Sequence, residues 1–294
     1  MLRTAVISAF ALLGLAAPAA AQPAADDAIV VYGRTEAAMH AFVDQISTSP
    51  RSQNQLALWV RPLCLNITGV TDEEGHILNT RIVERARAVG LEIAPAGCRN
   101  NVLVLVSDNP DAVAQALAAR PSDMGINNAP GRFSMGRRAF ARFVASDAPV
   151  RWWHVNNLVT AEEEVRGERG DISNPRSGAN WMAGHNSRLS SATRRDLVAT
   201  FIIVDAKAVR RINYDWSAVG DYVSMVALAQ LDPNANTSAY STILNLFAQA
   251  NGPRAMTEWD VAYLRGLYGA TRDVSVARQQ AEITASMSAD LNRH

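Results

Sequence analysis

Residues 98–118 read Cys98-Arg99-Asn100-Asn101-Val102-Leu103-Val104-Leu105-Val106-Ser107-Asp108-Asn109-Pro110-Asp111-Ala112-Val113-Ala114-Gln115-Ala116-Leu117-Ala118. The unbroken aliphatic run Val102 to Val106, bounded by polar residues, predicts a strand covered on both faces. Asn109 can accept a hydrogen bond from the first turn of a helix. Pro110 suits its first position, where an N–H would have no partner, and Pro121 forbids its continuation. Upstream, Ile77, Leu78, Ile82 and Ala86 fall on one stripe of a helix predicted over Ile77–Val89, and Gly90 stops it. Leu56–Leu65 reads as a further strand leading into Cys64. Strand, helix, strand, helix makes residues 56–125 an α/β half.

Outward from that half, a helix is expected near Thr35–Ile46, within a segment 22–55 that opens with a spacer and the short β-prone run Ala28–Tyr32. Residues 126–294 hold strands, a long loop and C-terminal helices. Arg137–Val144 reads as a short basic helix. Val150–Val155 reads as a strand with Trp152 and His154 on one face and Arg151, Trp153 and Val155 on the other. After the polar stretch Thr160–Asp196, Leu197–Val204 reads as another strand. Helices are then expected from Ser217, over Tyr240–Ala250, from a Thr257/Asp260 capping box through Gly269, and over Asp273–Asn292. The fold class is α+β: a mixed sheet with flanking helices followed by a helical C-terminal half.

Composition narrows the function classes. With 48% hydrophobic and 19% charged residues among 294, the chain can bury a core, so intrinsic disorder is excluded. Its 28 basic residues are balanced by 28 acidic ones, which argues against a nucleic-acid binder dependent on a broad positive field. Lys207 is the sole lysine, a bias read as codon usage rather than chemistry. Residues 1–21 combine a basic tip at Arg3, an apolar stretch Ala5–Ala17 and the small-residue end Ala19-Ala20-Ala21, the pattern of a secretory signal peptide. Beyond it no run approaches the ~20 apolar residues of a membrane helix. A periplasmic or secreted location follows as the expectation. In such a chain the pair Cys64 and Cys98 reads as a disulfide closing a loop of about 35 residues.

The chain carries no local nucleophile or metal-binding motif. The five histidines His40, His76, His154, His185 and His294 are too dispersed for a helical zinc pair, and a site built from His154, His185 and Glu163 was the weaker reading. Gly131–Gly136 departs from the nucleophile-elbow spacing around Ser134. Asp215, Asp221 and Asp260 could serve as dispersed carboxylates but read better as caps or helix charges. No catalytic residue, metal ligand or cofactor is therefore assigned. Arg132, Arg137, Arg138 and Arg142 interleave with Phe133, Phe140 and Phe143, which suits an amphipathic helix with a basic solvated face, or one that meets an anionic polymer. Trp181 and His185, set in a polar loop, and Asp221 and Tyr222 are the candidate binding residues.

Three stretches of sequence resemble known families. Trp59–Cys64, Gly69, Arg81-Ile82, Gly90, Cys98–Val102, Asp221-Tyr222-Val223 and Ala227–Gln230 together resemble a family of uncharacterised exported proteins of Gram-negative bacteria, a likeness that implies no activity. Met256-Thr257-Glu258-Trp259-Asp260 with Leu264 and Leu267-Tyr268-Gly269 is similar to the closing helix of zincin metallopeptidases, which implies a zincin-like fold. Where such a protein carries its HExxH metal-binding helix, this chain has Asp221-Tyr222-Val223-Ser224-Met225, without histidine or glutamate. Asp27–Val31 also resembles the segment near the mature start of TonB-dependent receptors, which pairs edge-on with a partner strand. The expected function is a non-catalytic exported envelope protein with a binding or structural role, its partner an envelope protein or an anionic polymer. A diverged hydrolase, zincin-like or with dispersed carboxylates, is the alternative.

Overall fold

A computed structural model describes residues 33–49, 54–126, 132–160, 191, 193–212, 214–248 and 252–293. Its helices are α1 (Glu36–Ile46), α2 (Asp72–Ala88), α3 (Pro110–Ala118), α4 (Arg137–Ala145), α5 (Ala206–Ile212), α6 (Trp216–Leu228), α7 (Glu258–Gly269) and α8 (Val276–Leu291). Its strands are β1 (Leu65–Thr68), β2 (Val102–Ser107), β3 (Val150–Thr160) and β4 (Thr193–Asp205). The sheet order is β1-β2-β4-β3, parallel except for β3, which runs antiparallel to β4 on the edge. The α+β class with a helical C-terminal part is thus observed. Among the described residues no helix is long and apolar enough to cross a membrane.

Two apolar layers sandwich the sheet. Val102, Val104 and Val106 of β2, with Ile202 and Val204 of β4 and Trp152 of β3, face α2 and α6, behind which pack α1, α7 and α8. Phe201, Ile203, Trp153 and Val155 point the other way, against Ala114 of α3 and Phe140 and Phe143 of α4. Strand β2 alternates between buried and half-buried residues rather than being buried throughout, because its second face meets the smaller layer. In α6 every residue from Ala218 to Leu228 is buried, as expected of a helix surrounded by other elements. Gly220 is where α2 and α6 come closest: a Cβ there would lie 2.9 Å from Arg81 Cβ. Gly69, at φ +83°, turns the chain out of β1 so tightly that a side chain would overlap the Val106 carbonyl.

Helix starts follow local chemistry. Thr35 caps α1, Asn109 caps α3 with Pro110 just inside, and Thr257 with Asp260 completes the capping box of α7. Helix α2 begins five residues before its apolar stripe, at Asp72, because Thr71 and Glu74 form a second capping box. Two expected elements differ. Leu56–Leu65 is not a strand: it is a buried extended segment with isolated bridges, Leu58 to Asp196 and Leu63 to Ile93, and β1 starts only at Leu65. The helix expected over Tyr240–Ala250 is not seen either in its described part, Tyr240–Ala248. There the chain makes the 3-10 turn Ile243–Asn245, since the Asn245 amide donates to the Thr237 and Tyr240 carbonyls and draws the chain into a compact loop. The run Ala28–Tyr32 lies outside the described residues.

Cys64 and Cys98 form a disulfide with Cα atoms 6.0 Å apart. It joins the residue just before β1 to the loop entering β2, so it braces the start of the strand rather than its end.

Candidate functional site

Strand β3 is one of the two outer strands of the sheet, and its partner β4 covers only one of its edges. The Asp205 N–H donates to the Pro149 carbonyl at 2.9 Å, and this bond sets the parity of the ladder. Residues 151 and 153 therefore exchange hydrogen bonds with β4, while the N–H and C=O groups of Val150, Trp152 and His154 point outward. None of these outward groups has a hydrogen-bond partner among the described residues. Further along, a bulge between Val155 and Asn156 ends the free stretch, because Asn156 pairs with Phe133 through two backbone bonds of 2.8 and 2.7 Å.

A groove of about 200 Å³ runs along this free edge. All five residues Val150–His154 line it, from both faces of the sheet, so the groove follows the strand's edge. One wall is helix α4 through Ala139, Arg142, Phe143 and Ser146, preceded by Met135; the other is Tyr222 of α6 with Gln230–Asn234. The spacing of 139, 142, 143 and 146 is one helical stripe. Phe140 and Phe143 hold α4 against Trp153, with ring centroids 5.0 and 5.8 Å away, and the Arg151 guanidinium donates to Val144 O at 3.3 Å. Helix α4 therefore descends antiparallel to β3.

The groove is lined by polar groups that lack partners. The Tyr222 ring is buried against Trp152 and Phe247, and no described residue hydrogen-bonds its hydroxyl; burial raises the phenol's pKa far above its usual value. Gln230 is 3% exposed. Its Nε2 donates weakly to Met135 Sδ at 3.6 Å, while its buried Oε1 has no partner. Five buried side-chain polar atoms among the described residues are orphaned in this way. Four of them belong to β3 and β4, namely Arg151 Nε, Asn157 Oδ1, Arg195 Nε and Thr200 Oγ1, and the fifth is that of Gln230. Native interiors leave few such atoms; two of the five, on Arg151 and Gln230, belong to residues that line the groove.

Other side chains at the groove are satisfied. The Trp152 indole N–H donates to Leu231 O at 3.1 Å and that of Trp153 to Met124 O at 2.8 Å. His154 Nε2 lies 2.8 Å from Val226 O, so that nitrogen carries the proton of the neutral ring, and burial depresses the imidazole to about 4. Outside the groove lining, Arg195, whose Nε is one of the orphaned atoms, stacks over Phe133 at 4.7 Å, and desolvation lowers its guanidinium to about 10.

The residues predicted from sequence divide sharply. Tyr222 lines the groove. Asp221, its neighbour, points to a different face of α6, where the Arg85 guanidinium grips it by two bonds of 2.9 and 3.0 Å and the Met256 N–H adds a third at 2.8 Å. At 1% exposed it faces no open space. Asp215 caps α6, and Asp260 accepts from Thr242, Ile243 and Thr257 while burial raises its pKa. Ser134 Oγ donates to Gly125 O, a loop contact. Trp181, His185 and Glu163 lie outside the described residues. Among the described residues no three His, Cys, Asp or Glu side chains converge in a way that could hold a metal ion.

Sequence reasoning missed Gln230 and the free edge of β3. The alternation in Val150–Val155 was visible, but only pairing shows which strand is outermost. No family model, curated protein or solved structure matches this chain.

Proposed function

We propose that this chain is an exported envelope protein that binds a partner without transforming it, and that it does so by accepting an extended segment of polypeptide along the edge of β3. The leader-like residues 1–21 and the Cys64–Cys98 disulfide support export, since disulfides persist in oxidising compartments. The observation that carries the binding reading is the row of outward N–H and C=O groups at Val150, Trp152 and His154 inside a groove walled on both sides. Such a row is a template for one more strand. Main-chain hydrogen bonds supply affinity, and the flanking side chains supply selectivity. Tyr222 and Gln230 add unsatisfied polar groups that an incoming backbone amide can meet, while Trp152 and Phe143 provide the apolar lining.

The carboxylates open to a hydrolytic reading are already employed. Asp215 and Asp260 hold helix ends, and Asp221 is clamped by Arg85. They sit in separate bonding networks, whereas glycoside hydrolysis needs two carboxylates facing one bond.

Panning a phage-displayed library of linear decapeptides against the mature, oxidised protein tests the reading. Selected peptides should bind the wild type and lose at least tenfold in affinity on Ala148→Trp, which fills the groove from its rim. Failure to select any peptide, or selection of peptides indifferent to Ala148→Trp and to the second groove variant Ala139→Trp, would overturn it.

A further inference from the structure

The groove's two walls differ in charge. Arg142 lines it, and Arg138 lies one turn earlier on the same side of α4. Neither guanidinium has an acidic partner among the described residues, and α4 itself contains no acidic residue. The other cation at the groove, Arg151, is neutralised by Asp111 at 2.6 Å. The acidic groups nearby do not answer the two free arginines: Asp232 is occupied in a turn, accepting from the Asn234 backbone and side chain at 2.9 and 3.0 Å, and Asp147 lies exposed beyond the end of α4.

The spacing matches an extended chain. Two helical residues four apart are separated by about 6 Å along the axis. Alternate residues of a strand, which share a face, are separated by about 6.6–6.8 Å. Because α4 runs antiparallel to β3, a strand added to that edge lies alongside the helix, and two of its same-face side chains fall opposite Arg138 and Arg142.

Resting on the peptide-binding reading above, we infer that the groove selects an acidic strand, one with Asp or Glu at alternate positions read by Arg138 and Arg142. Arginine suits this task because its planar fork meets a carboxylate by two parallel hydrogen bonds. An anionic polymer attracted by the arginines alone needs neither the strand edge nor the groove, so the two occupants make different predictions.

The probes are three fluorescein-labelled ten-residue peptides that alternate threonine with glutamate, with glutamine, or with lysine. Fluorescence anisotropy against the oxidised mature protein should rank glutamate above glutamine by at least tenfold and glutamine above lysine. The double variant Arg138→Gln/Arg142→Gln should bring the glutamate peptide down to the glutamine level and leave the glutamine peptide unchanged. Equal affinity for the glutamate and glutamine peptides, with both lost on Ala148→Trp, overturns the acidic preference and leaves the groove reading standing. Binding of none of the three removes both. Binding of the glutamate peptide that survives Ala148→Trp and Ala139→Trp, and is displaced by inorganic polyphosphate, shows attraction to the helix surface alone and overturns the inference.

Discussion

Replacing Gln230 with Leu should make the free protein more stable and a poorer binder. The Oε1 of Gln230 is buried and unpartnered, and its Nε2 has only a 3.6 Å contact with the sulfur of Met135. An unsatisfied buried acceptor costs about 1–3 kcal/mol, and leucine fills a similar volume without that cost. Subtracting roughly 0.5 kcal/mol for the weak sulfur contact leaves a net gain of about 0.5–2.5 kcal/mol. For a body of this size each kcal/mol moves the thermal midpoint by about 2–4 °C, so a rise of roughly 1–10 °C is expected. Urea and thermal unfolding of oxidised protein measure the first effect. Anisotropy with the alternating threonine–glutamate peptide measures the second, where a several-fold weakening is expected. Destabilisation beyond about 1 kcal/mol would mean that the amide already has a partner of value. Stabilisation with unchanged peptide affinity would remove Gln230 from the site.

The buried ion pair offers a second check. Arg85→Ala leaves the Asp221 carboxylate, 1% exposed, with only the Met256 N–H, and should cost about 3–5 kcal/mol. Asp221→Ala should cost less, since the Arg85 side chain is 25% exposed and can turn to water; in urea titrations the double variant should fall well short of the sum. Protonation of His154 tests burial at the groove floor. Its folded value near 4 lies below the ordinary 6.5, so the unfolded chain takes up the proton first and stability falls as pH drops from about 6.5 to 4, by about 3 kcal/mol. His154→Gln should flatten that slope in pH-dependent urea midpoints. Reduction of the Cys64–Cys98 bond, or the double alanine variant, should cost about 2–4 kcal/mol with peptide binding retained, because the bond sits at the opposite edge of the sheet from β3.

What could be read in the sequence was what neighbouring residues decide. Asn109-Pro110, Thr257 with Asp260, and the run Val102–Val106 each satisfy their own hydrogen bonds or burial within a few residues, and the structure has helix starts and a strand at those places. The 3-10 turn at Ile243–Asn245 escaped because the amide of Asn245 bonds back to Thr237 and Tyr240, a choice that helical periodicity does not register. Leu56–Leu65 reads as a strand because apolar residues crowd it, Leu56 to Val60 without a break; its partners, however, are the distant Asp196 and Ile93, one bridge each. The candidate site was less legible. Asp221 and Tyr222 are adjacent in sequence and share one reading, yet the helix turn of about 100° per residue sends them to different faces, one to Arg85 and the other to the groove. That β3 is outermost, and hence that Val150, Trp152 and His154 have free backbone groups, depends on a pairing order fixed over more than a hundred residues.

An open edge is ordinarily a hazard, and folded proteins blunt it with charges on the strand, with bulges, or with a covering element. Strand β3 shows the second device only beyond Val155, where the bulge lets Asn156 close on Phe133. Between Val150 and His154 the strand's own side chains are two tryptophans, a valine, a neutral histidine and an arginine neutralised by Asp111, none of which repels an incoming chain. The unpaired charges sit instead on the helix alongside, at Arg138 and Arg142. Arginines that guard an edge directly lie on the strand itself, where every incoming chain must bury them and is excluded whatever its composition. Placed one turn apart on a wall that a strand would run beside, they penalise a basic chain, are indifferent to a neutral one and favour an acidic one. If the groove accepts a strand as proposed, the same arrangement limits indiscriminate pairing and selects among partners, and the ranking of glutamate, glutamine and lysine peptides separates this account from simple edge protection, under which all three would be excluded alike.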